Sequence, residues 1–269
     1  MSTKDIHRVS PHTKVRLSRI SASETGKYKS HKDTRAELED HRAKIDKLQE
    51  LLVAECKHSI LVVLQGMDTA GKDGTIRHIF TGVNPQGCDV TPFKVPTPLE
   101  ARHDFLWRAH RAVPEHGKIG IFNRSHYEDV LVTRVHKLIT DEEAMRRMDE
   151  IVRFEEILAR NGVVLLKFFL HISYEEQTRR LQARLDDASK HWKMSEADFA
   201  ERRYWPQYQK AYEDVLSLTS RKHAPWFIVP SDHKWYRDLV IAQTMARALE
   251  GLKMKYPPSS FDARKVRLD

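Results

Sequence analysis

The side chains in this sequence best placed to do chemistry are Asp68, Lys72, Arg124 and Asp129. Asp68 and Lys72 belong to the run Gly66-Met67-Asp68-Thr69-Ala70-Gly71-Lys72-Asp73-Gly74-Thr75, which has the spacing G-x-x-x-x-G-K. Between a strand and a helix, that spacing makes a cradle for phosphate. The glycines let backbone N–H groups turn inward on an anion, the helix N-terminus adds the positive end of its dipole, and the lysine adds a full charge. The flanks supply the context. The apolar run 59–65 reads as a buried strand, and Ile76-Arg77-His78-Ile79-Phe80 reads as the opening of a helix. The competing reading is a tight turn with an incidental lysine, but spacing, lysine and flanks agree on the cradle.

One position departs from the usual loop. The residue after the lysine is ordinarily Ser or Thr, whose hydroxyl binds Mg²⁺; here it is Asp73. A second carboxylate, Asp68, stands inside the loop. A carboxylate beside bound phosphates is repulsive unless a cation lies between them. The expectation is therefore Mg²⁺ held partly by Asp68, in a loop specialised for something other than routine ATP hydrolysis.

The second group is Asn123-Arg124-Ser125-His126-Tyr127-Glu128-Asp129, at the end of the apolar run 118–122. An arginine at a strand end can make forked contacts with phosphate oxygens. Glu128 and Asp129 follow about one helical turn later, which returns a carboxylate to the strand end, where it can ligate Mg²⁺. A structural Arg–Asp ion pair is the alternative. A third signal is the basic stretch Arg179, Arg180 and Arg184, followed by an irregular segment, 186–197, that carries Lys190, His191 and Lys193. It reads equally as a lid closing on phosphates or as a solvated charged face. Trp205, Tyr208 and Tyr212 recur at helical spacing and read as core rather than as a base-stacking platform. The 15 histidines show no metal-ligand spacing.

The elements that must position these groups follow from periodicity. Residues 1–33 are polar and basic without a period and read as a solvated arm draped over the domain, an extension that grips a polyanion or a neighbouring subunit being the sharper alternative. Leu38, Ile45, Leu48, Leu51 and Leu52 mark a helix over about 34–57. Strands are expected at 59–65, 88–93, 118–122, 163–170 and 225–230. Helices are expected after the phosphate loop, from Thr97 to near Pro114, over 130–136, from Thr140 and Ser173 (both opening capping boxes), over about 198–219, and from Ser231 to about Lys253. Strands alternating with helices imply a parallel sheet covered on both faces, with ligands at the carboxyl ends of the strands. Both motifs fall there.

The chain has 269 residues, 40% hydrophobic, with a formal net charge of +8. That excess favours an anionic partner: nucleic acid, a membrane surface or a polyphosphorylated substrate. Cys56 and Cys88 stand far apart and fit a reducing cytosol. No apolar leader is evident, and no run approaches the roughly 18 residues needed to cross a bilayer. The expectation is a cytoplasmic protein with no membrane partner.

Four segments together resemble the second polyphosphate kinase family: Gly66-x-Asp68-x-x-Gly71-Lys72-Asp73-Gly74; Phe122-Asn123-Arg124-Ser125-x-Tyr127-Glu128-Asp129-Val130; Leu181-x-x-Arg184-Leu185; and Ala224-Pro225-Trp226. The resemblance spans about residues 35–255, and Asp73 agrees with it. It implies a three-layer α/β/α P-loop kinase fold like thymidylate kinase, with a parallel five-stranded sheet and a helical lid at about 178–200. The basic arm at 1–33 and a tail at 256–269 would lie outside that domain. It also implies transfer of phosphoryl groups between inorganic polyphosphate and AMP, ADP or ATP, with guanine nucleotides as further candidates. Mg²⁺ would be the cofactor and the assembly a homo-oligomer, dimer or tetramer. By resemblance, Asp68 orients the acceptor phosphate and binds Mg²⁺, Lys72 contacts the transferring group, Arg124 neutralises charge beside it, and Asp129 completes the metal site. The loop residues Gly66, Met67, Thr69, Ala70, Gly71, Asp73, Gly74 and Thr75, together with Asn123, would surround the phosphates. Arg180, Arg184, Lys190 and Lys193 are candidates to grip them. Glu128 resembles the class that accepts both nucleoside mono- and diphosphates. Two rivals remain open at this level: an ATP-dependent nucleoside or nucleotide kinase, disfavoured by the missing hydroxyl after Lys72, and a basic nucleic-acid-binding module. The latter lacks zinc-finger spacing, a helix-turn-helix signal or an aromatic sheet motif, so no nucleic acid is expected as a partner.

Overall fold

The seven residues of β1, Ser59–Gln65, are all buried, as expected of a strand covered by helices on both faces. The computed structural model describes residues 7–194, 196–261 and 265–266. In it β2 is Cys88–Pro92, β3 Ile119–Asn123, β4 Val163–His171 and β5 Trp226–Pro230. Every pairing is parallel and the order is β2-β3-β1-β4-β5. The strands agree with the expected segments to within one residue at each end. β1 is central, and β3 is its immediate neighbour, with Leu64 in register with Asn123. That pairing sets the phosphate loop beside the Asn123–Asp129 motif.

The helices are α1 (His31–Glu55), α2 (Lys72–Ile79), α3 (Trp107–Arg111), α4 (Glu128–Val135), α5 (Asp141–Arg160), α6 (Tyr174–Leu185), α7 (Glu196–Glu201), α8 (Trp205–Thr219) and α9 (Lys234–Gly251). α1 and α2 pack on α9, which also meets β4 and β5. On the other side α4, α5 and α8 pack together, and α5 meets β4. The result is three layers.

Several local expectations are corrected. α2 begins at Lys72 itself, so the loop feeds directly into the helix. The segment after Thr97 is not one helix. Thr97 and Glu100 do cap reciprocally, with Thr97 N–H donating to Glu100 Oε2 at 2.7 Å and Glu100 N–H to Thr97 Oγ1 at 3.3 Å. They close only a 3-10 turn, Glu100–Arg102, before α3. Asp104 accepts from the Leu106 amide and restarts the chain, as short polar side chains do in competition with a helix. Pro206 at the start of α8 likewise separates it from α7. Ser231 does not cap α9; its hydroxyl donates to Val229 O, and His233 takes the cap position.

The segment from His7, read as solvated, is pinned to the domain. Val9 N–H donates to Trp226 O and Ile228 N–H to His7 O, both at 2.8 Å, forming an antiparallel bridge on the outer edge of β5. Val9, Val15, Leu17 and Ala22 are buried. Scattered among lysines and arginines, they have no period to betray them.

Beneath the Asn123–Asp129 motif lies a wholly buried polar network. Lys167 of β4 donates to Glu155 Oε2 at 2.5 Å, Tyr127 Oη at 2.9 Å and Thr219 O at 2.9 Å. Tyr127 Oη donates to Glu155 Oε1 at 2.8 Å, and Trp226 Nε1 donates to Thr219 Oγ1. Burial works against the Glu155 carboxylate, but Lys167 and His126 hold its pKa below the usual carboxylate range. All three Lys167 donors are satisfied, so the ion pair fastens α5, β4, α8 and the root of α4 to one another. Lys167→Met leaves Glu155 charged and unpaired, and it should lower stability by about 3–5 kcal/mol. Lys167→Met combined with Glu155→Leu should recover most of that loss. Urea unfolding of both variants checks the pair.

Candidate functional site

The phosphate loop leaves β1 through Gly66 and enters α2 through Gly71. Gly71 has φ +108°, and a Cβ built there would lie 1.9 Å from Nη1 of Arg237. Both the backbone conformation and the close approach therefore require glycine. Thr69, at φ 60°, and Arg124, at φ 62°, are non-glycine residues in the left-handed region, one in each motif. Such strain persists only where surrounding contacts over-determine it. For Arg124 one such contact is its own N–H, which donates to Leu64 O of β1 at 3.0 Å.

Lys72 is buried and folds back over the loop, donating to Gly66 O at 2.8 Å and Met67 O at 3.2 Å. Burial, then the nearby Arg124, outweigh Asp68, Glu128 and Asp73 and lower its pKa to about 8. Asp73 is engaged within the fold. Its Oδ1 accepts from Asn123 Nδ2 at 2.6 Å, tying the end of β3 to the first turn of α2, where a carboxylate also suits the helix dipole. Arg124 Nη1 donates to Glu128 Oε2 at 3.1 Å.

Asp68, Arg124 and Glu128 line one cavity with Gly66, Met67, Gln177, Arg202, Tyr208 and Tyr212. The aromatic stripe is core, as expected: Tyr208 and Tyr212 are buried. It also walls the site. Burial pushes the Tyr212 phenol well up, so it stays protonated as a donor. Asp129 faces the adjoining cavity, of about 600 Å³, with Phe105, Arg108 and Arg147. Arg108 Nη2 donates to its Oδ2 at 2.9 Å. The Glu128-Asp129 pair therefore straddles two cavities.

The basic stretch separates into different roles. Arg184 approaches Asp68, with Nη1 3.7 Å from Oδ2. Arg180, expected to grip phosphates, cannot do so as it stands. Its Nε donates to Glu176 Oε1, its Nη1 to Thr69 O and Ala70 O, and its Nη2 to Ser231 O and Asp232 O. A guanidinium has five N–H donors, and every one has a protein acceptor. Lys190 pairs with Asp187 at 2.6 Å on the exposed 3-10 turn Ala188–Lys193. The side chain of Lys193 lies outside the described ones. Sequence reasoning missed Gln177, which donates to Asp68 O, as well as Arg108, Arg202 and Arg237. None of them sits in a motif; the fold alone brings Gln177, Arg202 and Arg237 to the loop and Arg108 to Asp129 in the adjoining cavity.

Three buried oxygens around the loop lack a hydrogen-bond partner: Asp68 Oδ2, Thr69 Oγ1 and Thr75 Oγ1. Among the described residues no three His, Cys, Asp or Glu cluster as a self-sufficient metal cage. That combination fits Mg²⁺, which takes one or two carboxylates and fills its shell with water and substrate phosphates.

A strand–loop–helix phosphate cradle at the switch point of a five-stranded parallel sheet, rimmed by Lys72, Arg124 and Arg184, defines a P-loop phosphotransferase of the kinase fold. Residues 28–257 match the family model for polyphosphate kinase 2. The AMP/ADP-polyphosphate phosphotransferase of Meiothermus ruber is 45% identical over 264 residues, spanning 98% of this chain and 99% of that one. The ADP-polyphosphate phosphotransferase of Rhodopseudomonas palustris is 43% identical, spanning 97% and 94%. The crystal structure of polyphosphate kinase 2 from Arthrobacter aurescens TC1 superposes with a TM-score of 0.92 at 42% identity, over 96% of this chain and 93% of that one. The chain belongs to the polyphosphate kinase 2 family.

Gly71→Ala combines left-handed strain with the Arg237 clash. It should lower stability by about 1–3 kcal/mol and weaken phosphate binding at the loop. Thermal unfolding with and without inorganic tripolyphosphate separates the two effects.

Proposed function

We propose that this chain transfers the terminal phosphoryl group of inorganic polyphosphate to AMP and ADP, and runs in reverse from ATP to polyphosphate, in a magnesium-dependent reaction. The observation that carries the reading is the shared crevice: a phosphate loop with its own carboxylate, Asp68, left without a hydrogen bond beside Lys72, Arg124 and Arg184. The names of the two relatives, at over 40% identity across nearly the whole chain, support the same donor and acceptors. Glu128 beside Arg124 supports acceptance of both mono- and diphosphates, and guanine nucleotides are the comparison that sets base preference.

Phosphoryl transfer asks a protein for positioning and charge neutralisation rather than for a nucleophile. Lys72 leaves the Gly66 and Met67 carbonyls to contact the transferring group. Arg124 turns its fork from Glu128 to the phosphate beside it. Asp68, through Oδ2, and Asp129, through the oxygen that Arg108 leaves, would hold Mg²⁺, and Asp68 orients the acceptor phosphate. Magnesium bound there would supply positive charge that screens these carboxylates from the phosphates. Residues 178–200 act as the lid, with Arg184, Lys190 and Lys193 closing on the polyphosphate. We place the enzyme in the cytoplasm as a homo-oligomer, dimer or tetramer; no helix among the described residues is long and apolar enough to cross a membrane.

Purified protein with polyphosphate, Mg²⁺ and ADP should form ATP, and with AMP should form ADP; absence of both products rejects the proposal. Asp68→Asn and Lys72→Ala should each cut turnover about a hundredfold or more while remaining folded; near-normal turnover in either would mean the site is misplaced. The depressed Lys72 pKa yields a further expectation. An anion raises it again, so binding takes up protons from near pH 8 upward until the bound-state pKa is passed. Polyphosphate binding at pH 8 should take up about half a proton from Lys72, little at pH 6.5, and none attributable to this group in Lys72→Met. Calorimetry in buffers of different ionisation enthalpy measures the uptake.

A further inference from the structure

Two buried guanidinium groups meet behind the phosphate loop, at the carbonyl of Ala70. Arg237 Nη1 and Arg180 Nη1 each donate to Ala70 O at 3.1 Å, and Arg180 Nη1 also donates to Thr69 O at 2.9 Å. Arg237 is 1% exposed and Arg180 8%, so neither is a surface cation waiting for a ligand. Arg237 is itself held. Its Nε and Nη2 donate to Asp238 Oδ1 at 2.9 and 2.7 Å. The other oxygen of Asp238 lies 2.7 Å from Nδ1 of His78, which sits on α2, the helix that the loop opens. The frame therefore closes on itself, from α9 to the loop and back through α2.

In a trans peptide the C=O and N–H of one unit point in opposite directions. An Ala70 carbonyl drawn back to the arginines aims the Gly71 N–H the other way, toward the phosphate side of the loop. A loop peptide without that anchor can flip and present an oxygen to an anion. The geometry resembles preorganised dipoles elsewhere, where donors fixed before reaction contribute most because they need no rearrangement. Resting on the phosphotransfer reading above, we propose that Arg237, acting with Arg180, is a positioning residue for phosphoryl transfer: it fixes the Ala70–Gly71 peptide so that its amide faces the transferring group. Arg180 extends the anchor to α6, whose last turn carries Arg184 beside Asp68.

The test uses the double variant Arg237→Gln/Asp238→Asn, which removes both buried charges together and so avoids stranding either. Cooperative melting is checked first, and turnover is measured well below the melting temperature. The expected result is a folded protein whose kcat falls about tenfold or more while its KM for polyphosphate stays within about threefold, since the remote phosphates do not feel this peptide. Arg237→Lys should recover little, because an ammonium is a compact point charge without the planar fork that spans Ala70 O on one side and Asp238 Oδ1 on the other. A folded double variant with kcat within about twofold of the parent overturns the proposal, as does a loss that simply tracks the unfolded fraction. If the parent protein forms no product from polyphosphate, the functional reading falls separately. ATP binding without turnover then decides the positioning role: about tenfold weaker binding in the double variant sustains it, and equal affinity removes it.

Discussion

Charge in this molecule is organised by the need to hold anions against one strand-end crevice without leaving like charges to repel when it is empty. Each cation of the site has a resting partner. Lys72 rests on loop carbonyls, Arg124 on Glu128, Arg108 on Asp129, and Arg184 near Asp68. These contacts differ in kind from the ion pair of Lys167 with Glu155, which is wholly buried and has no other work than to hold elements together. Exchangeable pairs face the cavities and permanent ones lie beneath them. Solvent access accounts for Arg124–Glu128 and Arg184–Asp68, which are partly exposed, whereas Lys72 and the Arg108–Asp129 pair are themselves buried at the cavity walls. A partly exposed pair can trade its partner for a phosphate at small cost, whereas breaking a buried pair strands a charge.

The sheet supplies the rigidity that these exchanges need. Because β1 and β3 are neighbours in register, the two motifs are brought together by backbone hydrogen bonds rather than by their own side chains. The side-chain tie between Asn123 and Asp73 and the backbone tie from Arg124 to Leu64 refine a placement already made. This also accounts for Asp73 where most such loops carry a hydroxyl. Here the position serves as a strut across the crevice, Asp73 Oδ1 accepting from Asn123 Nδ2.

The strands and the two motifs were legible because each is signalled locally, the inner strands by mainly apolar runs, β2 by the turn at 84–87 before it, and the loop by glycines and a lysine at fixed spacing. Arg180 shows where local reading stops. Its neighbours Arg179 and Arg184 look the same in sequence, yet Arg179 pairs with Glu176 on the surface, Arg184 faces Asp68, and Arg180 is buried against loop carbonyls. Helical phase distributes them among three environments, and only the packing of α6 against the loop decides which is which. Arg237 and Asp238 left no local trace, because their partners are carbonyls and a histidine far away in the chain. The segment around Val9 and Leu17 does drape over the domain, but the burial of its apolar residues has no sequence signal for a related reason: irregular backbone buries them without a period. The helix expected from Thr97 failed on one residue, Asp104, whose competing turn outweighs a sound capping pair.

The rung between His7–Val9 and Trp226–Ile228 joins the two most distant stretches of sequence that touch in this fold through backbone hydrogen bonds. The rung needs β4 and β5 to be aligned first. It is then reinforced by Asp232 N–H donating to Ala22 O, by the Val15 and Leu17 amides donating to Ser217 Oγ and Glu213 Oε1, and by the buried apolar side chains of the segment. The rung therefore belongs among the last contacts to form during assembly. Until it closes, the outer side of β5 is an open template for intermolecular pairing. The segment thus works as a latch: its buried Val9, Val15, Leu17 and Ala22 hold it on the finished domain, where it covers the open edge of β5 against neighbouring chains.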